Sequence, residues 1–87
     1  MKLTKRTQEK IQDLLKVQGY IIRYERGNFK GGYCIVRAQK TIIINKFHPL
    51  ESKVSTLMDI VRDIEIDEEL LSEDQHKMVK QIMNFKE

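Results

Sequence analysis

Two apolar runs in the middle of the chain are separated by so few residues that their relative direction is constrained. Residues 33–38 (YCIVRA) and 41–47 (TIIINKF) are rich in the β-branched and aromatic side chains typical of strands. Only Gln39 and Lys40 stand between them. Parallel strands need a connection of about a dozen residues or more, so the sequence predicts antiparallel neighbours.

A third strand is predicted at residues 20–25 (YIIRYE), which precede the glycine-rich stretch RGNFKGG. Gly27-Asn28 and Gly31-Gly32 supply the positive φ angles that a reversal between strands requires. No Lys-Ser or Lys-Thr pair followed by a helix is present, so a phosphate-binding loop is not predicted. The stretch is interpreted as a hairpin, and the three strands as an antiparallel meander.

One helix is predicted before the strands in the sequence and one after them. The first covers residues 4–18, with Thr4 as its N-cap and Gly19 as its C-terminal stop. The second follows Pro49 and covers residues 50–64, where apolar residues recur at i, i+3, i+4 and i+7. That stripe is the clearest helical signal in the sequence.

A last helix is predicted after the acidic residues 67–71. Ser72 and Gln75 form an S-x-x-Q capping box, and the helix continues through Phe85. The 87 residues suffice for one domain, residues 1–87. The predicted fold class is α+β: two layers, with a three-stranded antiparallel β-meander packed with helices in the order α-β-β-β-α-α.

Side chains of successive strand residues point to opposite faces of a sheet. Both faces of the predicted sheet carry branched aliphatic side chains, because the apolar residues of the strands are consecutive. The two well-patterned helices cover one face. An apolar patch is seldom left open to water, so the other face needs a cover as well. The last helix is the simpler cover, and a second copy of the chain, making a homodimer through a sheet face or edge, is the alternative.

Composition bounds the location and the partners. No run approaches the ~20 apolar residues of a membrane span, and the first ten residues are charged where a signal peptide is apolar. The single Cys34 excludes an intramolecular disulfide framework. These observations predict a cytoplasmic protein that does not enter a membrane.

Charge is distributed unevenly along the chain. Residues 1–40 carry ten Lys and Arg against three acids, a net +7, whereas residues 41–87 carry a net −4. The basic half favours an anionic partner such as nucleic acid, and solvated faces of opposite sign are the alternative interpretation. The candidate contacts to a protein or nucleic acid are Arg23, Arg26, Phe29, Lys30 and Arg37.

No catalytic, cofactor-binding or metal-binding residue is predicted. His48 and His76 lie far apart and have no Cys or second His at ligand spacing. Cys34 lies inside an apolar run, where a thiol usually behaves as a small hydrophobe. Asp59 and Asp63 share a helix face at i, i+4 spacing, which is interpreted as a solvated acidic face.

Residues 19–64 resemble a group of small bacterial proteins of unknown function. The resemblance rests on a glycine hairpin, an apolar strand ending in Asn-Lys, and the amphipathic helix with ESKVSTLMDIV. It implies no activity.

The predicted α-β-β-β-α order, with IIIN before a helix, has a weaker similarity to the core of ImmA/IrrE-like zinc metallopeptidases. In that family the helix carries H-E-x-x-H. On this helix, Asp59 and Asp63 stand at the two histidine positions and Ile60 at the glutamate position. The resemblance therefore implies at most a non-catalytic relative that binds no zinc and has no peptidase activity.

The leading functional hypothesis is a non-enzymatic interaction or structural module, homodimeric in one version. The alternative is a nucleic-acid-associated protein that uses the basic N-terminal half. An enzyme is the third hypothesis and has the least support from the residues.

Overall fold

The elements of the fold follow the chain in a simple succession of one helix, three strands and two helices. A computed structural model describes residues 1–27 and 32–85 of the chain. Two short 3-10 helices, Arg37–Gln39 and Glu68–Leu70, lie in the connections. The main elements are α1 (Lys5–Val17), β1 (Ile21–Glu25), β2 (Tyr33–Val36), β3 (Thr41–Asn45), α2 (Leu50–Asp63) and α3 (Glu73–Asn84).

The helix ends follow from local chemistry, as predicted. The Thr4 hydroxyl accepts a hydrogen bond from Thr7 N at 3.3 Å, which satisfies a free donor of the first turn of α1. Gly19 has a φ of +92°, a conformation that glycine adopts without steric cost, directly after the C-cap of α1. Ser72 and Gln75 form the predicted capping box of α3.

The three strands form a mixed sheet in the order β1-β3-β2. β2 and β3 are antiparallel, as predicted, with Val36 opposite Thr41. β1, however, is parallel to β3 and has no pairing with β2. The predicted antiparallel meander is therefore wrong, and the glycine-rich connection does not join neighbouring strands; its residues 28–31 lie outside the described ranges.

The central place of β3 has a physical reason in its composition. The sequence TIIIN has three isoleucines and no charge, so neither neighbouring strand has to pack beside a charged side chain of β3. β1 contains Arg23 and Glu25, which an edge strand tolerates because its outer side is wet. The α+β class is confirmed, with the sheet topology corrected.

All three helices contribute to one core on one face of the sheet. The register places Ile22, Ile35 and Ile42 in one row across that face, with Tyr24, Tyr33 and Ile44 in the next. All six belong to the core cluster or pack against it.

The last helix lies on that same side of the sheet. α3 packs against α2 and adds the fully buried Ile82 to the cluster that contains Ile42 and Ile44. The prediction that the last helix covers the second face is therefore wrong. None of the four apolar residues of the second face belongs to the core cluster in the described part of the chain; they are Ile21, Cys34, Val36 and Ile43.

A buried glutamine fastens the end of α1 to the connection between α2 and α3. Gln18 donates from Nε2 to Asp67 O at 3.0 Å and accepts at Oε1 from Asp67 N at 2.7 Å. Lys40 Nζ donates to Gln18 O at 3.0 Å, which ties the β2–β3 turn to the same point. The Gln18 side chain thus forms hydrogen bonds with both backbone polar groups of Asp67.

Arg62 performs a similar task at the other end of α3. Its guanidinium donates from Nε and Nη2 to Ile82 O and from Nη2 to Phe85 O, at 2.9–3.2 Å. The last carbonyls of a helix have no partner within the helix, so a cation placed there stabilises the end of α3.

None of the helices within residues 1–27 and 32–85 has the length and apolarity that a membrane crossing requires.

Replacing Gln18 by alanine tests the fastening of α1. We expect Gln18→Ala to lower the free energy of unfolding by about 1–3 kcal/mol, because a part-buried backbone amide loses its acceptor. Gln81→Ala is the matched control: Gln81 is exposed on α3, and a change within about 0.5 kcal/mol is expected there. Urea denaturation followed by circular dichroism measures both, and equal values for the two variants would contradict the assignment.

Candidate functional site

The parallel pairing of β1 and β3 brings two cations to the same end of the sheet. Arg26 follows directly after β1 and Lys46 directly after β3, and the carboxyl ends of parallel strands share an edge. Lys46 N donates to Glu25 O at 3.0 Å, so the two strand ends are joined by the last bond of the ladder. Two basic side chains distant in the sequence are therefore neighbours.

Asn45 ends β3 and turns the next residue out of the sheet. Its side-chain Oδ1 accepts from Phe47 N at 3.0 Å, and its carbonyl accepts from His48 N at 3.3 Å. An asparagine side chain that bonds to the backbone two residues on forms an Asx turn. Phe47 is therefore 64% exposed. The apolar run predicts instead that this residue continues the strand.

The exposed ring lies close to both cations. Arg26 Cζ is 5.8 Å and Lys46 Nζ is 5.2 Å from the centroid of the Phe47 ring, both within cation–π range. We call Arg26, Lys46 and Phe47 the strand-end cluster. Neither cation forms an ion pair with an acid among the described residues.

Two of the predicted contact residues are engaged by acids elsewhere. Arg23 Nε is 2.7 Å from Glu25 on the same strand, and Arg37 Nη2 is 3.2 Å from Asp63 at the end of α2. Phe29 and Lys30 lie outside the described residues. Of the five candidates, only Arg26 is placed in the strand-end cluster.

Sequence reasoning misses Lys46 and Phe47 because the apolar run assigns both to the third strand. The signal that marks them is the Asn45 that follows three isoleucines, since asparagine favours turns over strand interiors.

The second surface of interest is the face of the sheet opposite the core, which we call the uncovered face because none of its apolar residues within residues 1–27 and 32–85 belongs to the core cluster. Two rows cross it in register: Ile21, Thr41 and Val36, then Arg23, Ile43 and Cys34. Ile21 is 58% exposed, and the Arg23–Glu25 pair lies beside it on β1. The apolar part of this face therefore extends to β2, and the charged part lies along β1.

The outer edge of β2 has free backbone groups. Asn45 N donates to Gly32 O at 3.0 Å, which identifies Gly32 and Asn45 as a hydrogen-bonded pair. Because such pairs alternate in antiparallel ladders, Cys34 and Val36 also bond to β3, whereas Tyr33 and Ile35 direct their N–H and C=O groups outward. In the described part of the chain no other strand pairs with this edge.

Tyr33 and Arg37 share one acidic neighbourhood. Partial burial raises the pKa of Tyr33 above 10.0, and the negative charges of Asp63 and Asp59 raise it further, whereas the Arg37 cation lowers it. Asp63 thus acts on both residues, and Asp59 is held by Arg62 at 2.9 Å.

Tyr24 closes a polar network between β1 and α1. Its hydroxyl accepts from Gln8 Nε2 at 2.9 Å and donates to Gln12, and Lys53 Nζ lies 5.6 Å from its ring centroid. Burial raises the pKa of Tyr24, and the hydrogen bond from Gln8 opposes the rise.

The remaining candidate residues are not brought together. His48 lies against Gly32, where a Cβ added to the glycine would come within 3.4 Å of His48 Nδ1 and 2.8 Å of Thr56 Oγ1. Cys34 faces the uncovered side of the sheet, and His76 lies on α3. Within residues 1–27 and 32–85, no group of three or more His, Cys, Asp or Glu side chains is arranged to hold a metal ion.

No family model, curated protein or solved structure matches the chain. The resemblances to small bacterial proteins and to the metallopeptidase core therefore stay predictions.

Titration of Tyr33 tests the acidic neighbourhood. We expect Asp63→Asn to lower the pKa of Tyr33 and Arg37→Gln to raise it, as followed by the NMR shift of its ring carbons. Since the folded pKa exceeds the unfolded value of 10.0, Tyr33 stabilises the fold below pH 10.0, and the free energy of unfolding falls as the pH rises above it. Shifts of the same sign in both variants would contradict the geometry.

Proposed function

We propose that the protein is a non-enzymatic interaction module that forms a two-fold symmetric dimer through the outer edge of β2. The observation that carries this proposal is the contrast between the two edge strands. β1 carries the Arg23–Glu25 pair, the kind of charge that natural edges use against unwanted pairing. β2 has the sequence YCIV, with neither a charge nor a proline, and its outer side has no strand partner in the described ranges.

A second copy of the chain satisfies this edge by its own symmetry. If Tyr33 of one copy pairs with Ile35 of the other, the outward N–H and C=O groups of both residues are all used, giving four hydrogen bonds. Because β2 has no charged side chain, like charges of its own do not oppose each other where the two copies of β2 meet at the two-fold axis. The two uncovered faces then join into one continuous surface on a six-stranded sheet.

The proposed register places Cys34 opposite Cys34 of the other copy. Directly opposed residues in a pair that does not share hydrogen bonds have Cα atoms about 4.5 Å apart. That separation is compatible with a disulfide.

The unpaired thiol also supports the cytoplasmic location proposed from the sequence, where such a thiol stays reduced.

A lysine on the β2 edge tests the dimer. We expect the protein to associate as its concentration rises, and Val36→Lys to shift this association to clearly higher concentration, because the charge opposes pairing of two β2 edges. Ile21→Lys is the matched control, since it places the same charge on the same face at the opposite edge. Analytical ultracentrifugation measures all three proteins.

Two results would contradict the edge interface. One is a monomer at every concentration for the unchanged protein. The other is equal weakening by Ile21→Lys and Val36→Lys, which would place the contact on the face of the sheet.

Oxidative cross-linking tests the register. We expect mild oxidation to give a Cys34 disulfide dimer faster in the unchanged protein than in Val36→Lys, and no such dimer in Cys34→Ser. A rate unaffected by Val36→Lys would show that cross-linking comes from random collision and not from paired edges.

A further inference from the structure

The strand-end cluster has properties that the proposed dimer does not use. Among the large hydrophobic residues that the structure describes, Phe47 is the most exposed, at 64%, and an exposed aromatic ring has a hydrophobic cost in water. The charged groups of Arg26 and Lys46 each lie within 6 Å of its ring centroid. The cluster therefore places an exposed aromatic ring and two positive charges at one point of the molecule.

From this arrangement we infer that Arg26, Lys46 and Phe47 form a binding site for single-stranded nucleic acid. An unstacked base offers a π-face to the Phe47 ring, and base–aromatic stacking tolerates any base. The phosphates on either side of that base lie within reach of the two cations, which pair with them electrostatically. A base within a duplex is already stacked, so the ring favours single strands.

The charge balance around the cluster favours an anion. Glu25 precedes Arg26 in the sequence, but its carboxylate is held by Arg23 at 2.7 Å. Arg26 and Lys46 therefore keep their positive charge without an acidic partner in the described ranges. Arg23 and Arg37, whose charges are met by acids, are excluded from the site.

The backbone holds the site in place before any ligand binds. The Lys46 N to Glu25 O bond fixes the spacing between the strand ends, and the Asn45 turn fixes the exit of Phe47 from the sheet. Binding then has to order the side chains but not the backbone that carries them, which lowers its entropic cost. The inference does not depend on the dimer, because no residue of β2 takes part.

Fluorescence anisotropy with labelled oligo(dT) and oligo(U) tests the site at low salt. We expect both probes to bind, and Phe47→Leu to weaken binding about 5- to 150-fold, the range for loss of one stacked base. Phe47→Tyr keeps the ring and is expected to retain binding. Because Phe47 is exposed, the folded state is expected to survive each substitution, which circular dichroism verifies.

Charge variants separate the site from general attraction to a basic protein. Lys46→Gln and Arg26→Gln are each expected to reduce the slope of log K against log salt by about 0.7, the loss of one phosphate contact. Lys10→Gln removes the same charge from the exposed side of α1 and serves as the matched control, with a smaller loss of affinity expected.

Any of three results would overturn the inference. The first is no binding of either probe at low salt. The second is equal loss in Lys46→Gln and Lys10→Gln. The third is tighter binding to a duplex of the same length, or to vesicles of anionic lipid, than to the single strands.

Discussion

The parallel pairing of β1 with β3 is the constraint on which the rest of the structure depends. It places β3 between two partners, so that its alternate N–H groups bond to β1 on one side and to β2 on the other. Ile42 and Ile44 can then be fully buried against the helices while their backbone groups remain satisfied. The same pairing leaves β1 and β2 as the two edges of a small sheet.

Each surface with a proposed role is a consequence of that topology. In an antiparallel meander, β2 would be the central strand, and its backbone would have no free edge. Arg26 and Lys46 would also leave their strands at the same end, but β1 and β3 would be separated by β2 and not joined by the Lys46–Glu25 bond. The mixed sheet therefore creates both the free edge and the strand-end cluster, with the helices stabilising it from one side only.

Local chemistry was predictable from the sequence, and the long-range pairing was not. Thr4, Gly19 and the Ser72–Gln75 capping box each act within a few residues, so their patterns identify helix ends directly. The short β2–β3 connection likewise admits only antiparallel neighbours. The partner of β1 depends on which strand has a neighbouring strand on each side. That is a comparison between strands, and the spacing of residues along the sequence does not provide it. The charges of β1 favour an edge position for it, but β2 and β3 both lack a charge, so composition alone does not choose the central strand. Phe47 was missed for a local reason, since the Asn45 side chain ends the strand two residues early.

Interstrand nuclear Overhauser effects measure the central claim most directly. Backbone contacts between Arg23 and Ile43 and between Glu25 and Asn45, together with a slowly exchanging Lys46 amide, are expected from the parallel pairing. Backbone contacts between residues 21–25 and 33–36 instead, with β2 amides protected on both sides, would establish a meander and contradict the account.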